Sequence, residues 1–91
     1  MYTSSAKLTF RIPHSFSLKD KRSVRRSLID KSRQQFNVSI AEVDTQDIHQ
    51  TLTIGIAVVS GEASHAKRSL DEIIRFMDGN ADAELQNYEF L

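Results

Sequence analysis

The sequence predicts a single α+β domain in which two helices cover one face of a four-stranded antiparallel sheet. Its 91 residues are enough for a two-layer core but not for two domains, so residues 1–91 are taken as one domain. Apolar residues alternate with period two in four segments and follow helical spacing in two others. The order of these segments is strand, helix, strand, strand, helix, strand.

The first strand is predicted over residues 6–13, where Leu8, Phe10 and Ile12 lie on one face. Period-two alternation with aromatic and β-branched residues is typical of a half-buried strand. Pro13 ends it, because proline cannot donate to the hydrogen-bond ladder.

The first helix is predicted to begin at Ser17, which is a good N-cap residue. Asp20, three residues later, approximates a capping box and favours the positive end of the helix. Asn37 suits the helix exit. The apolar positions that share one helical face are Leu18, Val24, Leu28, Ile29 and Phe36.

Three more strands and one more helix follow. The strands are predicted over residues 38–43, 51–59 and 84–90, with a polar turn over residues 44–50. The second helix has Glu62 in its first turn, and Gly79 is predicted to close it as a C′ residue. This order is the split βαβ, or ferredoxin-like, arrangement, which leaves the second face of the sheet open.

Charge is distributed unevenly along the chain, although it sums to zero. Residues 1–36 carry nine Lys/Arg against two Asp/Glu, a net of +7, and residues 37–91 carry three against ten, a net of −7. This asymmetry indicates a polyanionic partner or head-to-tail self-association, unless the folded surface interleaves the two signs.

Four cations of the first helix share a narrow stripe at spacings of three, four and seven residues: Lys19, Arg22, Arg26 and Arg33. Such a row can meet successive phosphates, with an affinity that falls steeply with salt. These four residues are the predicted nucleic-acid-binding residues. The alternative is an ordinary solvated helix face.

Lys21 and Arg25 point the other way, into the apolar arc near the helix start. There they either reach an anion at the helix N-terminus or form an internal ion pair. Strand 2 runs parallel to strand 1, which brings the 44–50 turn to the same end. We favour the ion pair, with Asp44 and Asp47 as partners.

No metal site, cofactor or catalytic residue is predicted. The chain has no cysteine. His14 and His49 are expected near Asp44 and Asp47, but they lack the spacing of metal ligands. The loop over residues 13–17 has no glycine to form a phosphate loop, and the outward positions of the central strands carry no aromatic for base stacking.

The open sheet face is predicted to be small, flat and partly apolar, formed by Ala41, Val43, Gly55, Ala57 and Val59. If Tyr88 and Phe90 also face outward, this patch favours a partner, and a homodimer through the sheet face or an edge strand is the expectation. An unoccupied face is the alternative.

Three stretches carry a family resemblance: SLKDKRSVRRSL at 17–28, FNVSIAEV at 36–43 and LTIGIAVVS at 52–60. With them the chain resembles the YlxP-like family of small bacterial proteins, over about residues 6–90. The resemblance implies a ferredoxin-like fold, a bacterial cytosolic setting and a loose link to translation, because such genes often neighbour those for termination and initiation factors. It implies no catalytic residue.

The expected function is therefore non-enzymatic binding of structured RNA or a ribosomal particle through the basic stripe. The alternative is a self-associating structural or regulatory module without a nucleic-acid role. The longest apolar stretch, residues 54–59, is too short to span a bilayer, and residues 1–10 lack the features of a signal peptide. A cytoplasmic location without membrane contact is expected.

Overall fold

The computed structural model describes residues 1–91 and has the predicted order of elements. These elements are β1 (Tyr2–Arg11), α1 (Leu18–Gln35), β2 (Ser39–Glu42), β3 (Thr51–Ser60), α2 (Ala63–Asn80) and β4 (Glu84–Phe90). The strands lie in the order β2-β3-β1-β4, and every neighbouring pair is antiparallel. The predicted ferredoxin-like βαββαβ fold is confirmed.

The core lies between the sheet and the two helices. It comprises 16 buried apolar residues, and burying each large aliphatic side chain contributes on the order of 1.5–3 kcal/mol. Strand β3 supplies the four residues whose alternation predicted it: Leu52, Ile54, Ile56 and Val58. Helix α2 covers them with Ala66, Leu70, Ile73, Ile74 and Met77.

Strand β1 begins at Tyr2, four residues before the predicted start, and ends at Arg11. The added segment, Tyr2–Ser5, pairs with the end of β3. Its Thr-Ser-Ser sequence has no apolar alternation, so the pairing with β3, not its own pattern, makes it a strand. Because β4 pairs with β1 only from Ala6 onward, this segment has a neighbouring strand on one side alone.

The start of α1 is as predicted and the end of α2 is not. The Asp20 N–H donates to Ser17 Oγ at 3.1 Å, so Ser17 is the N-cap. Asp20 Oδ2 accepts from the Phe16 N–H, one residue before the cap. Gly79 lies inside α2, with no positive φ, and the helix ends at Asn80. Neither helix is both long and apolar enough to cross a bilayer.

The register of β4 corrects the expectation for its two aromatic residues. Tyr88 lies opposite Leu8, and Phe90 lies opposite Ala6. Because paired residues of antiparallel strands point to the same face, and both β1 partners are buried under the helices, these aromatics lie on the helix side. The condition that they face outward and enlarge the open face is therefore not met.

The open face keeps its other predicted members and is flat around Gly55. A Cβ atom at Gly55 would lie 2.9 Å from Val43 Cγ1, so the valine packs directly on the glycine backbone. Val43 follows the last residue of β2, and its N–H donates to the Thr53 carbonyl at 3.0 Å. Ala57 and Val59 are exposed, Val59 by 63%.

Candidate nucleic-acid interface

The two inward cations of α1 belong to the interior of the fold. Lys21 lies three residues before Val24 and seven before Leu28, so helical spacing places it on the buried face. Its side chain is 1% exposed, and Nζ lies 2.7 Å from Glu42 Oε2. A buried ammonium is stable only when it is paired and its donors are satisfied.

The main chain of the 44–50 turn supplies the rest of the Lys21 environment. Lys21 Nζ donates to the Ile48 carbonyl at 2.5 Å and the Thr51 carbonyl at 3.2 Å, and it also contacts the Thr45 carbonyl. The Lys21 ammonium donates the hydrogen bonds that these carbonyls would accept from a neighbouring strand in a regular sheet. The ammonium therefore fixes the path of the turn.

Glu42 is the shared acid of this cluster. Its side chain is 3% exposed, and Oε1 accepts from Arg25 Nη1 at 2.8 Å. Thr45 Oγ1 donates to Oε2 at 3.1 Å. Burial by itself raises the pKa of the Glu42 carboxyl, but hydrogen bonds from Lys21 and Arg25 outweigh it and hold this pKa below its ordinary 4.5.

The internal ion pair thus forms with Glu42 and not with either of the two predicted acids. Asp44 instead pairs with Lys7 at 3.1 Å, a hydrogen bond that helps to raise the pKa of Lys7. Asp47 forms no ion pair. The sequence does contain a signal for the inward position of Glu42. Side chains alternate between the two faces of a strand, and Glu42 lies two residues after the inward-facing Ile40, so it points inward as well.

The outward cations of α1 divide into three without a hydrogen-bond partner and two, Lys31 and Arg33, whose side chains donate to main-chain carbonyls. Lys19, Arg22 and Arg26, here called the cationic row, are exposed and form no ion pair. Arg33 is also exposed, but Nη2 donates to the Ile40 carbonyl at 3.3 Å. The predicted stripe of four is therefore a row of three, with Arg33 held against the edge of β2.

The cationic row borders a shallow groove of about 610 Å³. The remaining lining residues are Ser23, Ser27 and Asp30, and none is hydrophobic. The two serines lie one helical turn apart, so the longer cationic side chains rise on either side of them. From Lys19 to Arg26 the helix rises about 10 Å, which spans a few backbone phosphates.

The histidines and acids suggested for a metal site do not converge. His14 Nε2 lies 3.2 Å from Asp82 Oδ2, whereas His49 Nδ1 lies 3.2 Å from the Ser15 carbonyl. No group of three or more potential His, Cys, Asp or Glu ligands is assembled.

Fold and surface together define a small ferredoxin-like domain with a cationic row on its first helix. The chain belongs to the family described as "Protein of unknown function (DUF503)", whose model matches residues 3–90. It is 35% identical over 68 residues to the "Uncharacterized protein YlxP" of Bacillus subtilis (strain 168), covering 75% of this chain and 74% of that protein. The YlxP-like resemblance is confirmed.

Among solved structures, the chain is similar to the "De novo designed protein Ferredog-Diesel". The TM-score is 0.45 at 10% identity, covering 97% of this chain and 84% of the designed one.

Glu42→Gln is expected to lower the free energy of unfolding by about 3 kcal/mol, because it leaves the Lys21 ammonium buried without a counter-charge. Urea unfolding at neutral pH measures the difference. Asp30→Asn is the matched control: it is the same acid-to-amide change at an exposed acid of α1 without an ion pair, and it should cost less than about 0.5 kcal/mol.

Lys21→Met should lower the free energy of unfolding more than Glu42→Gln does, because it also leaves the carbonyls of the turn without their hydrogen-bond donor. Equal small effects of Glu42→Gln and Asp30→Asn would contradict the proposed importance of the buried pair.

The stability supplied by Glu42 should depend on pH in the acid range. Because its pKa is lower in the folded protein than its ordinary 4.5, this contribution is complete above that value and is lost as pH falls through the folded pKa. Between about pH 6 and pH 3 the wild type should therefore lose more stability than Glu42→Gln. Parallel acid profiles of the two proteins in urea unfolding would show that Glu42 has no such role.

Proposed function

We propose that this protein is a non-enzymatic binding protein that docks on structured RNA or a ribosomal particle through the cationic row. The single observation that carries the proposal is that some cations of α1 have partners within the fold and their neighbours do not. Lys21 and Arg25 are engaged by Glu42, and Arg33 donates to a main-chain carbonyl. Of the exposed cations of α1, only Lys19, Arg22 and Arg26 form neither an ion pair nor a hydrogen bond within the chain.

The geometry of the row supports contact with the phosphate backbone. Guanidinium groups bind phosphate oxygens bidentately, and lysine binds them as a point charge. Because the major groove of A-form RNA is too deep and narrow for side chains to read, the row is assigned to phosphates and not to bases. Such contacts provide affinity and orientation without sequence preference.

The chemistry of the interior supports a binding role over catalysis. Lys21, Arg25 and Glu42 form the cluster of ionisable groups that reaches into the interior. Its side chains are committed to one another and to the carbonyls of the turn. None of the buried side-chain polar atoms of this cluster lacks a hydrogen-bond partner.

Reversing the row in the triple variant K19E/R22E/R26E should weaken sedimentation with purified bacterial ribosomal particles at low salt. Each charge-assisted contact is worth on the order of 1.5 kcal/mol, so the loss should be about tenfold or more per residue. The matched control is K67E/R68E/R75E, which makes the same charge change with three exposed cations of α2.

The control should bind within a few-fold of the wild type, and both variants should keep the wild-type far-UV circular dichroism. Equal losses in the two variants would mean that net charge alone drives binding. Undiminished sedimentation of the row variant would exclude the row as the binding site.

A further inference from the structure

The two edge strands of the sheet, β2 and β4, differ in whether side chains occupy their outward main-chain groups. In an antiparallel pair, the main-chain N–H and C=O groups of alternate residues point toward and away from the partner strand. Because the Val43 N–H donates to the Thr53 carbonyl, the main-chain groups of Ile40 and Glu42 in β2 point away from β3, to the free edge. Both outward carbonyls are occupied. Arg33 donates to the first and Gln46 Nε2 to the second, each at 3.3 Å. Side chains therefore close this edge to another strand.

The opposite edge, β4, has no such closure. The Leu91 N–H donates to the Ser5 carbonyl at 2.9 Å, which fixes the phase of the β1–β4 ladder. Because residues alternate between inward and outward main-chain groups in an antiparallel pair, Tyr88 and Phe90 direct their N–H and C=O groups to the free edge. No side chain donates to either carbonyl, and the strand contains neither proline nor lysine.

Exposed apolar side chains accompany this open edge. Tyr88 is 50% exposed and Phe90 is 47% exposed, and their rings form a T-shaped pair with centroids 5.9 Å apart. Leu91, which follows them, is 74% exposed. An edge with free main-chain groups and adjacent aromatics has the two components of recognition by strand addition.

We propose that a second copy of this chain occupies the edge, with the two β4 strands paired antiparallel about a two-fold axis at Tyr88. In this register Tyr88 lies opposite Tyr88 of the second copy, and the aromatic pairs meet on the helix side. Glu89 then lies opposite Asn87 of the second copy. The neighbouring two-fold register places Glu89 opposite its own copy, where like charges repel.

The charges at the edge suit this pairing. Glu89 lies 3.4 Å from Lys7 of its own chain, which also pairs with Asp44, so the charge of Glu89 is partly balanced. A two-fold axis perpendicular to the sheet makes one continuous eight-stranded sheet with all four helices on the same side. Because β2 is closed, assembly stops at the dimer. This interface is independent of the proposed RNA contact, since the cationic row lies on α1.

Sedimentation equilibrium of the purified chain at tens of micromolar should give a species of twice the 10.3 kDa chain mass. Tyr88→Lys should weaken the dimer at least tenfold, because it places two lysines opposite each other at the axis. Val59→Lys is the control: it makes the same kind of change at an exposed residue of the open face, and it should leave the dimer intact.

Cysteine cross-linking tests the register, because the chain has no cysteine of its own. Tyr88→Cys should give an intermolecular disulfide on mild oxidation, since paired residues at the axis are about 5.5 Å apart between Cα atoms. Val59→Cys should not. A monomeric wild type would overturn the proposal, and it would do so even if the β4 edge binds a different protein. A dimer that Val59→Lys dissociates and Tyr88→Lys does not would assign self-association to the open face.

Discussion

A buried ammonium group links three parts of this fold that are distant in sequence. Lys21 of α1 pairs with Glu42 at the end of β2 and donates to main-chain carbonyls of the turn that leads into β3. Desolvating such a charge costs several kcal/mol unless the geometry satisfies it fully. The pair therefore contributes specificity of structure: the helix, the strand end and the turn have one arrangement in which no buried polar group is left alone.

Ion pairs across the fold account for part of the charge asymmetry of the chain. Every ion pair in the structure joins a residue from 1–36 to a residue from 37–91. Three of the nine Lys/Arg of residues 1–36, namely Lys7, Lys21 and Arg25, are thereby paired with acids of residues 37–91, as the interleaved-surface alternative expected for part of the charge. The cationic row has no internal partner on α1, whereas Lys31 and Arg33, which are also exposed, donate to main-chain carbonyls.

Local patterns predicted most of the fold, whereas features set by a partner strand escaped them. The cap at Ser17 and the alternation along β3 depend on neighbours in sequence, and both were predictable. The side on which Tyr88 lies depends on the β1–β4 register, which includes a bulge between Thr9 and Phe10. The segment Tyr2–Ser5 is a strand because β3 extends beside it. The inward direction of the Glu42 side chain was predictable from strand alternation. Its pairing with Lys21 was not, because that depends on how α1 packs against the sheet.

The central claim is that only cations without an internal partner are available to a polyanion. The most direct measurement is the salt dependence of binding to a short RNA duplex, because the slope of log K against log[salt] counts the phosphates contacted. The three contacts of the cationic row predict a slope between about −2 and −3. A slope near zero would contradict any role for the row. A much steeper slope would mean that cations outside the row also contact the RNA.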